Sequence, residues 1–125
     1  MKYLLDTHIA LWYFLNSEEL SSTAEEIIVN PVNNIYVSAA SLWEMVIKIG
    51  LGKLDVSFGA FLKEVENAGF LIIQTESRYL SKLLDLPLIH KDPFDRLLIA
   101  TAMVEDMIMI TIDENIQKYD VSWVW

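Results

Sequence analysis

Apolar residues in this chain fall into short uninterrupted runs, separated by longer stretches of helical period. Lys2-Tyr3-Leu4-Leu5, Ile35-Tyr36-Val37, Phe70-Leu71-Ile72-Ile73, Ile108-Met109-Ile110-Thr111-Ile112 and Val121-Ser122-Trp123-Val124-Trp125 have the length and the β-branched or aromatic content of strands. Between them the spacing predicts helices. Asp6-Thr7 caps one running to about Leu15, and Ser22-x-x-Glu25 reads as a capping box opening another that ends near Asn30-Pro31. Leu42, Met45, Val46 and Ile49 mark a third from Ser38 to Ile49, with Gly50 as its stop. Others are expected over Ser57–Ala68, closed by Gly69, over Ser77–Leu84, from Pro93 to about Glu105, and over Asp113–Lys118. Strands that are apolar throughout, rather than at alternate positions, belong to a sheet buried on both faces. Their alternation with helices predicts an α/β fold of three layers, α/β/α, around a mostly parallel sheet.

Composition narrows this picture. With 125 residues, 54% hydrophobic and 22% charged, the chain is expected to form one domain, residues 1–125, that buries a core without staples. It has no cysteine, so it contains no disulfide, no thiolate zinc site and no cysteine nucleophile. Met1 to Leu15 is apolar behind Lys2, but Asp6 and His8 interrupt it and no small-residue cleavage site follows. No stretch reaches the roughly 18 apolar residues of a membrane span, and a cytoplasmic protein with no membrane partner is expected. The net charge of −9 changes more. Phosphate-binding proteins usually present a basic surface. Either the acids collect where cations neutralise them, or the partner is basic, or nucleic acid is the wrong partner.

The placement of the acids bears on that choice. In open parallel sheets the ligand sits outside the carboxyl ends of the strands. Asp6 follows the first strand and Asp113 the fourth, so both project there, and Glu44 lies within two turns of the start of the helix after the second strand. Asp95 belongs to His90-Lys91-Asp92-Pro93-Phe94-Asp95-Arg96, where Asp92 is a suitable N-cap and Pro93 occupies the first helical position. A helix that leads into the fourth strand begins at the opposite edge of the sheet, unless the loop before it carries its start round. Each acid also has a plainer role open to it. Asp6 and Asp113 suit N-caps, Asp92 is spaced to pair with Arg96, and Glu44 fits both a capping box with Ser41 and an ion pair with Lys48. Yet Trp43 and Ile47 widen the apolar stripe of that helix until Ser41, Glu44 and Lys48 remain as a narrow polar seam on a mostly buried element. Carboxylates gathered in one crevice repel, and they share protons or bind a cation. Oxygen ligands of this kind suit Mg²⁺ or Mn²⁺ rather than zinc. Such a centre supports phosphodiester hydrolysis, with two ions roughly 4 Å apart in its fullest form. Two divalent ions would also bring −9 to −5.

Four segments carry a resemblance to a known family: Leu4-Leu5-Asp6-Thr7, Ser38-Ala39-Ala40-Ser41-Leu42-Trp43-Glu44, Asp92-Pro93-Phe94-Asp95-Arg96-Leu97-Leu98-Ile99-Ala100 and Thr111-Ile112-Asp113. Through them the chain resembles PIN-domain ribonucleases nearly end to end, most closely the VapC-type toxins of bacterial and archaeal toxin–antitoxin pairs. The resemblance implies a sheet in the order 3-2-1-4-5 and metal-dependent endonucleolytic cleavage of RNA. It places Asp6, Glu44, Asp95 and Asp113 in the family's acidic quartet. Asp6 and Asp95 would be the main metal ligands, Glu44 would orient the attacking water or bind metal, and Asp113 would complete a second site directly or through water. Thr7, Ser41 and Thr111 match hydroxyl-bearing positions beside those acids. The same resemblance implies a homodimer, silenced by a cognate antitoxin whose C-terminal segment, often with an Arg, enters the acidic groove. Lys48, Lys53, Lys91 and Arg96 are the cations best placed by sequence to touch RNA. Because the family's acids act without a histidine, His8 and His90 are read as supporting or surface residues. Trp123 and Trp125 are read as core or dimer contacts.

Two readings of other classes stand beside this one. A phosphoryl-transfer domain of receiver or phosphatase type also has an acid after the first strand. The receiver, however, needs an Asp where Gln74-Thr75-Glu76 stands, and the phosphatase needs one where His8 stands. A PIN-like fold kept only to bind protein partners is the third reading, and the presence of all four acids counts against it.

Overall fold

The computed structural model describes all residues from Met1 to Trp125. Its layering is set by two adjacent leucines. In β1 (Lys2–Leu5) successive side chains point to opposite faces, and Leu4 and Leu5 are both fully buried. Leu4 packs in a cluster with Leu98, Ile99, Met109 and Ile116, whereas Leu5 packs in another with Ile9, Ile28, Val37, Met45 and Ile110. The sheet is therefore covered on both sides, as strands apolar at every position require.

The remaining strands are β2 (Asn34–Ser38), β3 (Leu71–Ile73), β4 (Ile108–Ile110) and β5 (Trp123–Val124), in the order β3-β2-β1-β4-β5. Every pairing is parallel. The register sets Leu5 opposite Ile110, so β1 and β4 end side by side in the middle of the sheet. The fourth and fifth strands are shorter than the apolar runs predicted: Thr111 and Ile112 fall outside the fourth, and Val121, Ser122 and Trp125 outside the fifth.

Seven helices connect the strands: α1 (Thr7–Phe14), α2 (Ser22–Val29), α3 (Ala39–Gly50), α4 (Phe58–Asn67), α5 (Ser77–Leu83), α6 (Pro93–Glu105) and α7 (Glu114–Gln117). Their ends correct the sequence reading in three places. The cap of α2 is Ser21, whose side chain accepts from the Ala24 amide, so the Ser22/Glu25 capping box does not form. Ser41 is likewise no cap: α3 starts three residues earlier, with Ser38 accepting from the Ala40 amide. Gly50 does not stop α3; the left-handed turn after it falls to Gly52, at φ +72°.

The third helix also turns a different face inward than the width of its apolar stripe suggests. Ala40, Ser41, Glu44 and Met45 are buried, whereas Trp43 is 62% and Val46 45% exposed. The supposed polar seam is the inner face. No helix is long and apolar enough to cross a membrane.

Candidate active site

Adjacent strand ends bring the first two acidic segments together. Beyond β1 the Asp6 amide still donates to Ile110 O at 3.1 Å, and beyond β4 the Thr111 amide donates to Val124 O at 3.2 Å, so both residues stay fixed to the sheet edge. Asp6 occupies the cap position of α1 but makes no side-chain cap bond. Its Oδ2 instead accepts the Thr111 hydroxyl at 2.8 Å. Thr111 Oγ1 in turn accepts the Asp113 amide at 3.0 Å, linking the two acids through one hydroxyl. Asp113 Oδ1 caps α7 by accepting from the Asn115 and Ile116 amides at 2.8 and 3.3 Å, while its Oδ2 accepts no bond within the chain.

Asp95 reaches the same edge because the loop before α6 is tied back. Tyr119 Oη accepts from the amides of Ile89 at 3.2 Å and His90 at 2.9 Å, and from Arg96 Nη1 at 3.0 Å. Arg96 also donates to the carbonyls of Pro87 and Leu83. Its guanidinium therefore holds the loop; it does not pair with Asp92. Asp92 keeps the capping role, its Oδ1 accepting from the Phe94 and Asp95 amides at 2.9 and 3.1 Å. Asp95 then stands in the first turn of α6, with its Oδ2 2.9 Å from His90 Nε2.

The second strand contributes from the other side. Thr7 Oγ1 donates to Ser41 Oγ at 2.8 Å, locking the start of α1 to α3. One turn on, Glu44 is only 7% exposed; Oε2 meets Lys48 Nζ at 3.0 Å and Oε1 is buried without any hydrogen-bond partner. Trp43 and Phe94 pack edge to face at 5.2 Å, so α3 and the start of α6 touch beside Glu44.

Electrostatics tie Asp6, Asp95 and Asp113 together. Burial raises the Asp6 carboxyl above the usual range and the Asp113 charge adds to the rise, while the Thr111 bond and His8 oppose it. Asp95 is pushed up to about 7, first by burial and then by the charge of Asp6, against the pull of His90, with Asp92 and Asp113 adding to the rise. Asp6, Asp95 and Asp113 thus feel one another as charges. His90, Asp95 and Asp113 offer ligand atoms that all lie within 4.8 Å of one another. Repelling carboxylates and a compact donor set fit a divalent cation, while Asp6 and Glu44 lie outside that compact set.

Of the cations expected to meet RNA, Lys48 is engaged by Glu44 and Arg96 by the loop, leaving Lys53 and Lys91 exposed. His90 stands beside Asp95 as the supporting residue expected, while Tyr119 joins the site unforeseen. A histidine five residues before the acid of a capped helix is a visible signal for the first; nothing local marks the second, which meets the loop from 29 residues away.

Fold and site together define an α/β protein with an acidic centre at the carboxyl edge of a parallel sheet. The family model for the PIN domain matches residues 3–122, and the chain belongs to that family. No curated protein matches it in sequence. Among solved structures it is similar to a chain of VapBC2 from Rickettsia felis bound to a promoter DNA fragment, at TM-score 0.77 and 17% identity over 100% of this chain and 99% of that one. A DNA-bound VapBC chain from Salmonella typhimurium aligns at TM-score 0.72 and 14% identity, over 99% and 97%. A toxin–antitoxin complex chain from Klebsiella pneumoniae aligns at TM-score 0.64 and 20% identity, over 98% and 96%. At these identities the likeness is one of fold.

Proposed function

We propose that the protein is a metal-dependent endoribonuclease and the toxin of a toxin–antitoxin pair. The observation that carries the reading is the convergence of Asp6, Asp95 and Asp113 on one sheet edge, close enough for the charge of Asp6 to help raise Asp95 to about 7. Asp6, Asp95 and Asp113 would hold Mg²⁺ or Mn²⁺, which supplies charge for the transferring phosphoryl group and lowers the pKa of a bound water. Glu44, with one oxygen anchored on Lys48 and the other unpartnered, is left to orient the attacking water. The hydroxyls of Thr7, Ser41 and Thr111 fix the elements that carry these acids. Lys53 and Lys91 are the free cations for the RNA backbone.

The similar solved complexes support an antitoxin as the partner that silences the site, and an acidic groove suits a basic segment of such a partner. We assign the exposed apolar face of α3, with Trp43, Val46 and Ile47 at helical spacing, to a second copy of the chain. The central test incubates the purified protein with a panel of structured RNAs, with and without Mg²⁺ or Mn²⁺, beside Asp95→Asn. Cleavage should need the metal and fall by about 100-fold or more in the variant; cutting that survives both chelation and the substitution would refute the reading.

A further inference from the structure

One member of the compact donor set is not an acid. Resting on the metal-centre reading above, we propose that His90 is itself a ligand of the ion, making this a mixed nitrogen–oxygen centre that favours transition ions such as Mn²⁺ or Co²⁺ over Mg²⁺.

Two ligands at right angles on an ion with bonds of ~2.1 Å stand about 3 Å apart. His90 Nε2 and Asp95 Oδ2 are 2.9 Å apart, and the third member, Asp113, has a ligand oxygen within 4.8 Å of both. The free oxygen of Asp113 is Oδ2, since Oδ1 is taken by the α7 amides. Asp6 is not part of this tight set; its Oδ2 is turned to the Thr111 hydroxyl.

The imidazole is also placed rather than loose. The amides of Ile89 and His90 are both bonded to Tyr119 Oη, itself held by Arg96, so the backbone that carries the ring is fixed from behind. The His90 side chain is only 21% exposed and the Asp95 side chain 13%. Charge points the same way. A further carboxylate would add to the repulsion already raising Asp6 and Asp95, whereas a neutral imidazole adds a strong donor without negative charge. Mg²⁺ gains little from nitrogen, while affinity for nitrogen donors rises along the series from Mn²⁺ to Co²⁺ and beyond.

Pulsed electron paramagnetic resonance on the Mn²⁺-loaded protein tests this without reference to cleavage. We expect nitrogen hyperfine coupling to the bound ion in the wild type. The coupling should change when histidine labelled with the heavier nitrogen isotope is incorporated, vanish in His90→Gln, and persist in His8→Gln. Glutamine can still donate a hydrogen bond to Asp95, so a ring that only positions the acid would be replaced with little effect. In parallel, competition between Co²⁺ and Mg²⁺, followed by calorimetry, should show the Co²⁺ preference falling about tenfold or more in His90→Gln. Mn²⁺ bound without isotope-sensitive nitrogen coupling would overturn the His90 assignment while leaving the carboxylate centre intact. Failure of the wild type to bind any divalent ion would overturn both. In His8→Gln, where His90 is the one histidine left to carry the label, the isotope experiment decides the matter even where His90→Gln does not fold.

Discussion

At the scale of single residues, Asp95 concentrates the electrostatic cost of the site. Its carboxyl titrates near 7 because burial and the charge of Asp6 both penalise ionisation. The metal-free folded state therefore binds this proton more tightly than the unfolded chain. The resulting stabilisation is complete below the ordinary aspartate value of 3.8 and is lost as pH rises through about 7. In chelator, the protein should be less stable at pH 8 than at pH 5.5 by on the order of 1–3 kcal/mol, and Asp95→Asn should flatten that slope. Urea melts at a series of pH values measure it, and a variant slope equal to that of the wild type would contradict the assignment. Asp6 shifts in the same direction. Neither shift is readable from sequence, because Asp6 and Asp95 are 89 positions apart and repel only after the sheet has formed. What is readable is the identity of the acids and the chain positions that put Asp6 and Asp113 just beyond strand ends.

At the scale of elements, the segment from Leu84 to Asp92 decides whether Asp95 belongs to the site. The helix it precedes begins at the correct edge only because Tyr119 and Arg96 hold this loop across the end of the sheet. Tyr119→Phe removes the one acceptor shared by the Ile89 and His90 amides and by Arg96 Nη1. The Ile89 amide and Arg96 Nη1 keep the Pro87 carbonyl, so the His90 amide alone is left without a partner, which should cost about 1–3 kcal/mol. Amide exchange at Ile89 and His90 should speed up more than exchange in β1, which pairs on both edges; uniform acceleration would mean that the loop is held by something else. The Asp92-Pro93 start of α6 was legible, since cap and first-turn chemistry act within four residues. The face of α3 was not: a helix apolar nearly all round gives no sequence signal of which side is inward. The hydroxyl contact from Thr7 to Ser41 fixes that orientation from α1, and the packing of Trp43 on Phe94 fixes it from α6.

At the scale of the whole molecule, part of the net charge of −9 is gathered at one sheet edge, where Asp6, Asp95 and Asp113 meet. The exposed Trp43, Val46 and Ile47 face is the other global feature. With a second copy seated there, Ile47→Glu should convert a dimer into a monomer in sedimentation velocity and leave the helical circular dichroism unchanged; a variant that stays dimeric would place the contact elsewhere. Residue identities and periodicity alone determined the α/β class and the succession of strands and helices, and set Asp6 and Asp113 just beyond strand ends, because strand burial and helix capping are local physics. Only the tertiary structure decided how far each strand runs in the ladder, which side of α3 is buried, that Arg96 serves the loop, and that His90 stands against Asp95. Those outcomes depend on contacts between segments distant along the chain, and such contacts leave no local pattern in the sequence.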